Sequence, residues 1–148
     1  MLVCGAPAYL ERHGAPATLA DLPRHRLIGQ RSNPSQKVFA WEFGTAQGTA
    51  QGMAVERVEI DPVFVVNDPE GAALAAASGI GLAQAGSNIV LPLVRKGRLT
   101  VVLDERAVRL RGLYAVYPTR RFAPRRLTAF VGFLTERFAD RPDLVWVP

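Results

Sequence analysis

Two acidic side chains, Asp68 and Glu70, stand close enough in the sequence to form a carboxylate pair for acid–base chemistry. They fall at a predicted helix start, where Asp68 can accept hydrogen bonds from the amides of the first turn. Acidic side chains also complement the helix dipole there, and Pro69 has no amide to leave unpaired. The pattern therefore favours capping over catalysis.

A second chemical pattern would pair Cys4, the single cysteine, with His13 or His25 as its base. No third group or oxyanion loop accompanies this pair. Cys4 also follows two apolar residues in a stub of strand, a setting typical of an inert buried thiol. With one cysteine and no Cys/His cluster at metal-ligand spacing, we predict neither a disulfide nor a metal site.

Other catalytic and cofactor motifs are incomplete. Ser32, Ser35 and Ser78 lack the G-x-S-x-G context of a nucleophile elbow. The Gly79-Ile-Gly81 sequence lacks the third glycine and the following helix of a dinucleotide loop. We therefore expect no enzyme activity and no cofactor.

The remaining pattern is that of a binding site at strand ends. Ligands of open α/β sheets bind outside the carboxyl ends of the strands, and helix N-termini attract anions. Under this hypothesis, the candidate residues are Arg31, Ser32, Asn67, Asp68, Gln84 and Ala85, with the amides of Glu70 and Gly71. The alternative is that all of these are ordinary turn and cap residues.

These residues are positioned by a predicted strand–helix–strand unit over Val63–Gly86. An apolar run closes on Asn67 and Asp68, an alanine-rich helix follows, and Gly79 can adopt the left-handed ending before the next apolar run. We predict that Gln84 and Ala85 lie one strand over from Asn67 and Asp68. This βαβ unit is the best-bounded part of the sequence.

The preceding residues predict local antiparallel structure. We expect a strand stub at Leu2–Cys4, a helix over Ala6–His13, and a capped turn at Thr18–Asp21. Further strands are predicted over 26–30, 36–43 and 54–60, with a loose hairpin connection between the last two. In 54–60, Val58 and Ile60 alternate with Arg57 and Glu59, as in a strand with one buried side. In 36–43 the alternation places Phe39, Trp41 and Phe43 on one buried face.

The later residues predict two strands and two helices. Because Pro92 would break a helix begun at Ser87, we expect one from Pro92 to Gly97 instead. Strands are predicted over Arg98–Leu103 and Gly112–Tyr117. The last helix, Pro124–Ala139, carries a wide apolar stripe of Leu127, Phe130, Val131, Leu134 and Phe138 that must be covered.

Composition places the chain among globular proteins. It has 148 residues, 49% hydrophobic and 21% charged, and a net charge of +5, which suits one domain with a real core. No apolar run is long enough to span a bilayer and no secretion signal is evident, so we expect a cytoplasmic protein without a membrane partner. The arginines at 120, 121, 125 and 126 could face phosphates or form a solvated surface.

Eight segments, in order and over nearly the whole chain, resemble the effector-binding domain of LysR-type transcriptional regulators. The segments are Cys4–Gly14, Asp21–His25, Trp41–Phe43, Val66–Glu70, Ala76–Leu82, Gly97–Leu99, Leu113–Pro118 and Leu127–Leu134. Two departures stand out. Gln84 and Ala85 replace the usual apolar residue and proline, and the sequence begins at the crossover strand.

The resemblance implies an α/β, periplasmic-binding-protein-like fold with a mixed sheet flanked by helices. Residues 1–4 would be a crossover strand remnant, 5–112 the second subdomain, and 113–148 the return strand and final helix of an incomplete first subdomain. Carried onto this chain, the cleft positions of the family fall on Arg31, Ser32, Asn67, Asp68, Gln84 and Ala85.

The same resemblance implies a non-enzymatic sensor of a small-molecule effector, which could be anionic. It would act as a homodimer or higher oligomer and reach DNA only through a separate helix-turn-helix domain. Because the final helix would lack the sheet it packs on in the family, we expect it to dock on a second copy or on its own sheet. Two alternatives are a basic nucleic-acid-binding module and a truncated chain without independent function.

Overall fold

The computed structural model describes residues 1–31, 35–45, 54–108, 116 and 124–139. The strands in these ranges are β1 (Leu2–Gly5), β2 (Leu27–Gln30), β3 (Trp41–Gly44), β4 (Val55–Val58), β5 (Phe64–Val66), β6 (Leu82–Ala85) and β7 (Thr100–Val102). The helices are α1 (Pro7–His13), α2 (Pro69–Ala77), α3 (Ser87–Arg95) and α4 (Arg125–Ala139), with 3₁₀ helices at Leu19–Arg24 and Asp104–Arg106. The predicted α/β class is confirmed.

Five strands form one mixed sheet in the order β5-β2-β6-β1-β7. β5, β2 and β6 are parallel, and β1 is antiparallel to both β6 and β7. The βαβ unit is confirmed, but β2 lies between its two strands, so β5 and β6 are not neighbours as predicted. The expectation of purely local antiparallel structure before residue 61 is likewise wrong for β1 and β2.

The other two strands form a hairpin. β3 and β4 are antiparallel, with Trp41 opposite Val58 and Gly44 opposite Val55. The pairing of β3 with β4 therefore confirms the predicted hairpin. Residues 46–53 of its connection lie outside the described part of the chain. The strand predicted over Gly112–Tyr117 also lies outside it, except for Val116.

Local interactions set both ends of α2 as predicted. The Asp68 carboxylate accepts from the amides of Glu70 and Gly71 at 3.2 and 2.6 Å. At the other end, Gly79 has φ +79°, its amide donates to Ala76, and the next amide donates to Ala75. These two bonds form a Schellman ending, which glycine stabilises because it has no Cβ to clash in the left-handed region.

A close backbone approach explains the second glycine of the Gly79-Ile-Gly81 sequence. A Cβ on Gly81 would collide with the carbonyl oxygen of Arg26. That carbonyl accepts a 2.8 Å hydrogen bond from the amide of Leu82 at the start of β6. The glycine therefore allows β6 to pair with β2.

Alternation along the strands divides the core into two clusters on opposite faces of the sheet. Leu2, Cys4, Ile28 and Ala83 point toward α2 and α3. Their sequence neighbours Val3, Leu27 and Leu82 point toward Tyr9, Trp41 and Phe43. Four fully or almost fully buried alanines on α2, at 72, 73, 75 and 76, hold that helix close to the sheet.

The helix predicted to begin near Pro92 instead spans Ser87–Arg95, with Pro92 inside it. Proline there removes one helical hydrogen bond, at a cost of about 3 kcal/mol. Pro92 and Asn88, whose carbonyl loses its partner, are both exposed to water. Val90 and Leu91 are buried against the sheet side, and burial of about 1.5–3 kcal/mol for each side chain outweighs the loss.

The predicted aromatic face is only partly correct. Trp41 and Phe43 are buried, but the Phe39 side chain is 54% exposed. Phe39 precedes β3, and its amide donates to the carbonyl of Gln30 at 2.7 Å. The alternation of buried and more exposed side chains therefore begins at Trp41, where β3 starts, rather than at Gln36.

The final helix, α4, begins one residue after Pro124 and ends at Ala139, close to the predicted bounds. Phe130 and Phe133 are 57% and 60% exposed, and Phe138 is also exposed. Leu127, Val131 and Leu134 are half-buried. The cover expected over this apolar stripe is incomplete in the described chain, and docking on a second copy stays a prediction.

Candidate functional site

The carboxyl ends of three parallel strands meet at one edge of the large sheet. In the pairing register, Gln30 at the end of β2 lies opposite Val66 at the end of β5, and Ile28 lies opposite Ala83 of β6. Arg31, Asn67 and Gly86 follow these ends along the chain. This is the edge at which ligands bind in open α/β sheets.

At the Asn67–Gly71 corner, the predicted anion-binding amides already have a partner. The Asp68 carboxylate accepts hydrogen bonds from the amides of Glu70 and Gly71. Asn67, Asp68 and Glu70 are all exposed to solvent. A ligand anion would have to displace a carboxylate that already accepts two hydrogen bonds, one of them short at 2.6 Å. Capping is therefore the role that the geometry gives to Asp68.

Arg31 connects two parts of this edge through its backbone. Its amide donates to the carbonyl of Val66 at 2.9 Å, and it forms an isolated bridge with Val38. The residue is exposed. Ser32, predicted beside it, lies outside the described residues.

Gln84 has a structural partner on the hairpin. Its side chain, only 5% exposed, accepts from the Glu42 amide at 2.9 Å and donates to the Glu42 carbonyl at 2.8 Å. Its own carbonyl accepts from the Gln30 side chain at 2.7 Å. Gln84 thus connects β6 to β3, while Ala85 is fully buried in the cluster beneath α2 and α3.

A cavity of about 640 Å³, partly open to solvent, lies between the sheet edge and the hairpin. The described residues that line it come from the ends of β1, β2 and β6, the connection before β3, and the hairpin strands: Met1, Gln30, Ser35, Lys37, Val38, Phe39, Ala40, Trp41, Glu42, Arg57, Glu59 and Gln84. Its volume is in the range of small-molecule pockets. Of the predicted site residues that the structure describes, Gln84 alone lines it.

The cavity wall combines charges with an aromatic surface. Arg57 and Glu42 pair across the hairpin at 3.4 Å. Lys37 and Glu59 are exposed and line the same space, as does the exposed ring of Phe39. The cavity can therefore offer both signs of charge beside an apolar surface.

The hairpin that forms this wall is also attached at its far side. Arg106 donates to the Gly44 carbonyl at 2.9 Å and pairs with Glu56 at 2.6 Å. Buried Trp41 and Phe43 anchor the hairpin in the core beneath. The wall is thus held by polar bonds at its two ends and by apolar packing between them.

Sequence reasoning missed Lys37, Phe39, Arg57 and Glu59. Alternation predicts a buried Phe39, and it places Arg57 and Glu59 only on the solvent side of a strand. No local sequence pattern predicts that this face of the hairpin lies against the ends of β2 and β6, because the contact joins residues that are far apart in the sequence. The one available signal was that Arg57 and Glu59 are two residues apart, which places two charged side chains on the same face of a strand.

The possible catalytic pair is separated by the sheet. Cys4 lies in the cluster under α2, and burial raises the pKa of its thiol to about 12. His25 lies on the other side, where its Nδ1 is 3.3 Å from the hydroxyl of Tyr9. In the described part of the chain, no three His, Cys, Asp or Glu side chains are grouped to hold a metal ion.

Two further predictions concern charge and membranes. Arg125 and Arg126 are exposed at the start of α4, while Arg120 and Arg121 lie outside the described residues. None of the described helices has both the length and the apolar character needed to cross a bilayer.

Known proteins resemble the chain in sequence and structure. It matches the LysR substrate binding domain family over residues 1–139. An HTH-type transcriptional regulator of Xanthomonas campestris pv. campestris (strain 8004) is 29% identical over 137 residues, covering 91% of this chain and 38% of that protein. The HTH-type transcriptional activator AaeR of Escherichia coli (strain K12) is 26% identical over 140 residues, covering 95% and 43%.

Among solved structures, the regulatory domain of CrgA, a LysR-type transcriptional regulator from Neisseria meningitidis, matches with a TM-score of 0.66 and 25% identity. The match covers 92% of this chain and 63% of the CrgA domain. The two curated relatives carry the names of transcriptional regulators rather than enzymes, and the chain spans 38% and 43% of their lengths.

Proposed function

Because this chain belongs to the LysR substrate-binding domain family, we propose that it is the ligand-sensing part of a transcriptional regulator. A small-molecule effector binds in the cavity between the carboxyl ends of β2 and β6 and the β3–β4 hairpin. The supporting observation is the cavity of about 640 Å³ at this edge. Its place outside parallel strand ends is the usual ligand position in such sheets.

The predicted strand-end residues complete this proposal. Arg31 and Asn67 follow β2 and β5 at the same edge as the cavity. Ser32 is the next residue in the sequence after Arg31. A ligand that extends from the cavity along the edge meets Arg31 first and then Asn67. Asp68, Glu70 and Gly71 act by fixing the start of α2 beside that path, and Gln84 and Ala85 by forming the end of β6.

The proposed output is control of transcription through a separate DNA-binding helix-turn-helix domain. The chain works as a homodimer or higher oligomer, and effector binding changes how the oligomer presents that domain. This part rests on the family, whose members regulate transcription.

The cavity can be tested by blocking it. Ala40 is half-buried and lines the cavity, so Ala40→Trp would fill much of it. Ala8→Trp, at an exposed position of α1, is the control for adding an indole. A panel of small metabolites is screened by thermal shift, and hits are measured by calorimetry.

We expect one or more compounds to stabilise the native chain and the Ala8→Trp variant but not Ala40→Trp. A hit that stabilises Ala40→Trp equally would place the ligand elsewhere. For a true hit, Arg31→Ala and Asn67→Ala should also abolish the stabilisation. If they leave it unchanged, the ligand stays within the cavity and does not follow the strand ends.

A further inference from the structure

Four described ionisable side chains line the cavity, and within the described part of the chain two of them form an ion pair while two have no ion-pair partner. Arg57 and Glu42 neutralise each other at 3.4 Å. For Lys37 and Glu59, no ion-pair partner is found within 4.0 Å among the residues that the structure describes. The two opposite charges therefore share one cavity without touching each other.

The Gln84 side chain on the floor of the cavity is already engaged by the hairpin. Its amide oxygen and nitrogen are both bound to the backbone of Glu42, and its backbone carbonyl accepts from Gln30. Among the described side chains that line the cavity, Lys37 and Glu59 are then the charged groups left to bind a ligand. Lys37 would bind an anion and Glu59 a cation.

An apolar surface lies beside these charges. The Phe39 ring is 54% exposed, yet its backbone is fixed by the 2.7 Å hydrogen bond to the end of β2. Val38 and Trp41 line the same space. A ligand with an aromatic or aliphatic body can cover this ring and remove apolar surface from water.

From these features we infer that the effector is a zwitterion with an apolar body, as an aromatic amino acid is. Its carboxylate binds Lys37, its ammonium group binds Glu59, and its side chain packs on Phe39. A simple carboxylate or a simple amine can pair with only one of the two charges, whereas a zwitterion pairs with both and gains a second charge-assisted hydrogen bond. This inference rests on the proposed function, because it names the ligand class of the same cavity.

The inference is tested with L-phenylalanine as the probe, measured by calorimetry on the full chain. The comparison compounds are 3-phenylpropionate, which lacks the ammonium group, and 2-phenylethylamine, which lacks the carboxylate. We expect each to bind about tenfold or more weakly than L-phenylalanine. Equal affinity of the three compounds would overturn the assignment.

Matched variants assign each charge. Lys37→Gln should weaken L-phenylalanine about tenfold but leave 2-phenylethylamine unchanged, and Glu59→Gln should weaken L-phenylalanine but not 3-phenylpropionate. Lys96→Gln, at the exposed end of α3, is the control for loss of a lysine. If neither Lys37→Gln nor Glu59→Gln changes binding, the inference is wrong.

The outcomes also separate the inference from the proposed function. If L-phenylalanine, L-tyrosine and L-tryptophan all fail to bind but another compound binds and is blocked by Ala40→Trp, the ligand class is wrong and the cavity stands. If the amino acid binds equally to Ala40→Trp, it binds outside the cavity, so the proposed site and the roles of Lys37 and Glu59 are both wrong.

Discussion

The side-chain amide of Gln84 lies along the backbone of Glu42, accepting its N–H at 2.9 Å and donating to its carbonyl at 2.8 Å. This buried side-chain amide thus joins the large sheet to the hairpin, because it pairs with the Glu42 backbone as the peptide group of a neighbouring strand would. It completes the floor of the cavity at the same time. Changes at this position should therefore affect both stability and ligand binding.

We predict that Gln84→Leu lowers the free energy of unfolding by about 2–4 kcal/mol, because it removes both hydrogen bonds between Gln84 and the partly buried backbone of Glu42. Urea denaturation followed by circular dichroism measures the loss. Gln30→Leu is the matched control, since it removes only the single bond to the Gln84 carbonyl. A Gln84→Leu loss no larger than that of Gln30→Leu would contradict the prediction.

Gly81 should be among the least replaceable positions, for steric reasons. Gly81→Ala places a Cβ against the carbonyl oxygen of Arg26, and we expect a loss of about 3 kcal/mol as β6 and β2 are forced apart. Gly97→Ala is the comparison: Gly97 has φ +66° at the end of α3 but open space around it, so the substitution costs only about 1–2 kcal/mol. Thermal or urea unfolding that ranks the two equally would argue against the close approach.

The Tyr9–His25 contact predicts a stability that depends on pH. The Tyr9 hydroxyl accepts from the Arg26 amide at 3.0 Å, so its own proton is available to a neutral His25 Nδ1. Burial, and then the charge of His13, hold the pKa of His25 below its usual 6.5, while Asp21 opposes them. Asp21 in turn lies near Arg24, at 3.8 Å.

The direction follows from the lowered pKa. At pH values below about 6.5 the unfolded chain gains a proton at His25 that the folded chain resists, so stability falls as the pH is lowered. Above pH 6.5 this contribution is fully present. His25→Asn keeps a neutral hydrogen-bond acceptor but cannot titrate. Between pH 7.5 and 5.5 its free energy of unfolding should therefore fall less than that of the native chain. Parallel curves for the two proteins would show that His25 is not responsible.

The exposed phenylalanines of α4 predict self-association. Covering a large apolar side chain is worth about 1.5–3 kcal/mol, and Phe130 and Phe133 are both more than half exposed. We expect light scattering to give a dimer or larger species and the Phe130→Ser/Phe133→Ser variant to be smaller. A native chain that is monomeric, with rapidly exchanging α4 amides, would refute this prediction.

Features set by neighbours in the sequence were predictable from it. The start of α2 depends on Asp68 and Pro69, and its end on Gly79, all within hydrogen-bonding reach along the chain. Alternation likewise identified the inward residues Val58 and Ile60 of the hairpin. In each case the determining interaction lies within one turn or one strand.

Features set by distant contacts were not predictable. The insertion of β2 between β5 and β6 depends on the approach of Gly81 to Arg26, which are far apart in the sequence. Pro92 is tolerated in α3 because the sheet buries Val90 and Leu91. For the site, the strand-end location was predicted, but its opposite wall is a hairpin whose docking has no local signal.

The packing of Trp41 makes it a natural optical probe of the cavity. Its indole is 4% exposed, lies 6.4 Å from the ring of Phe43, and belongs to a residue that lines the cavity. The only other tryptophan is Trp146. In a Trp146→Phe background, all indole fluorescence arises from this wall, so emission intensity and quencher access report directly on whether the cavity is occupied.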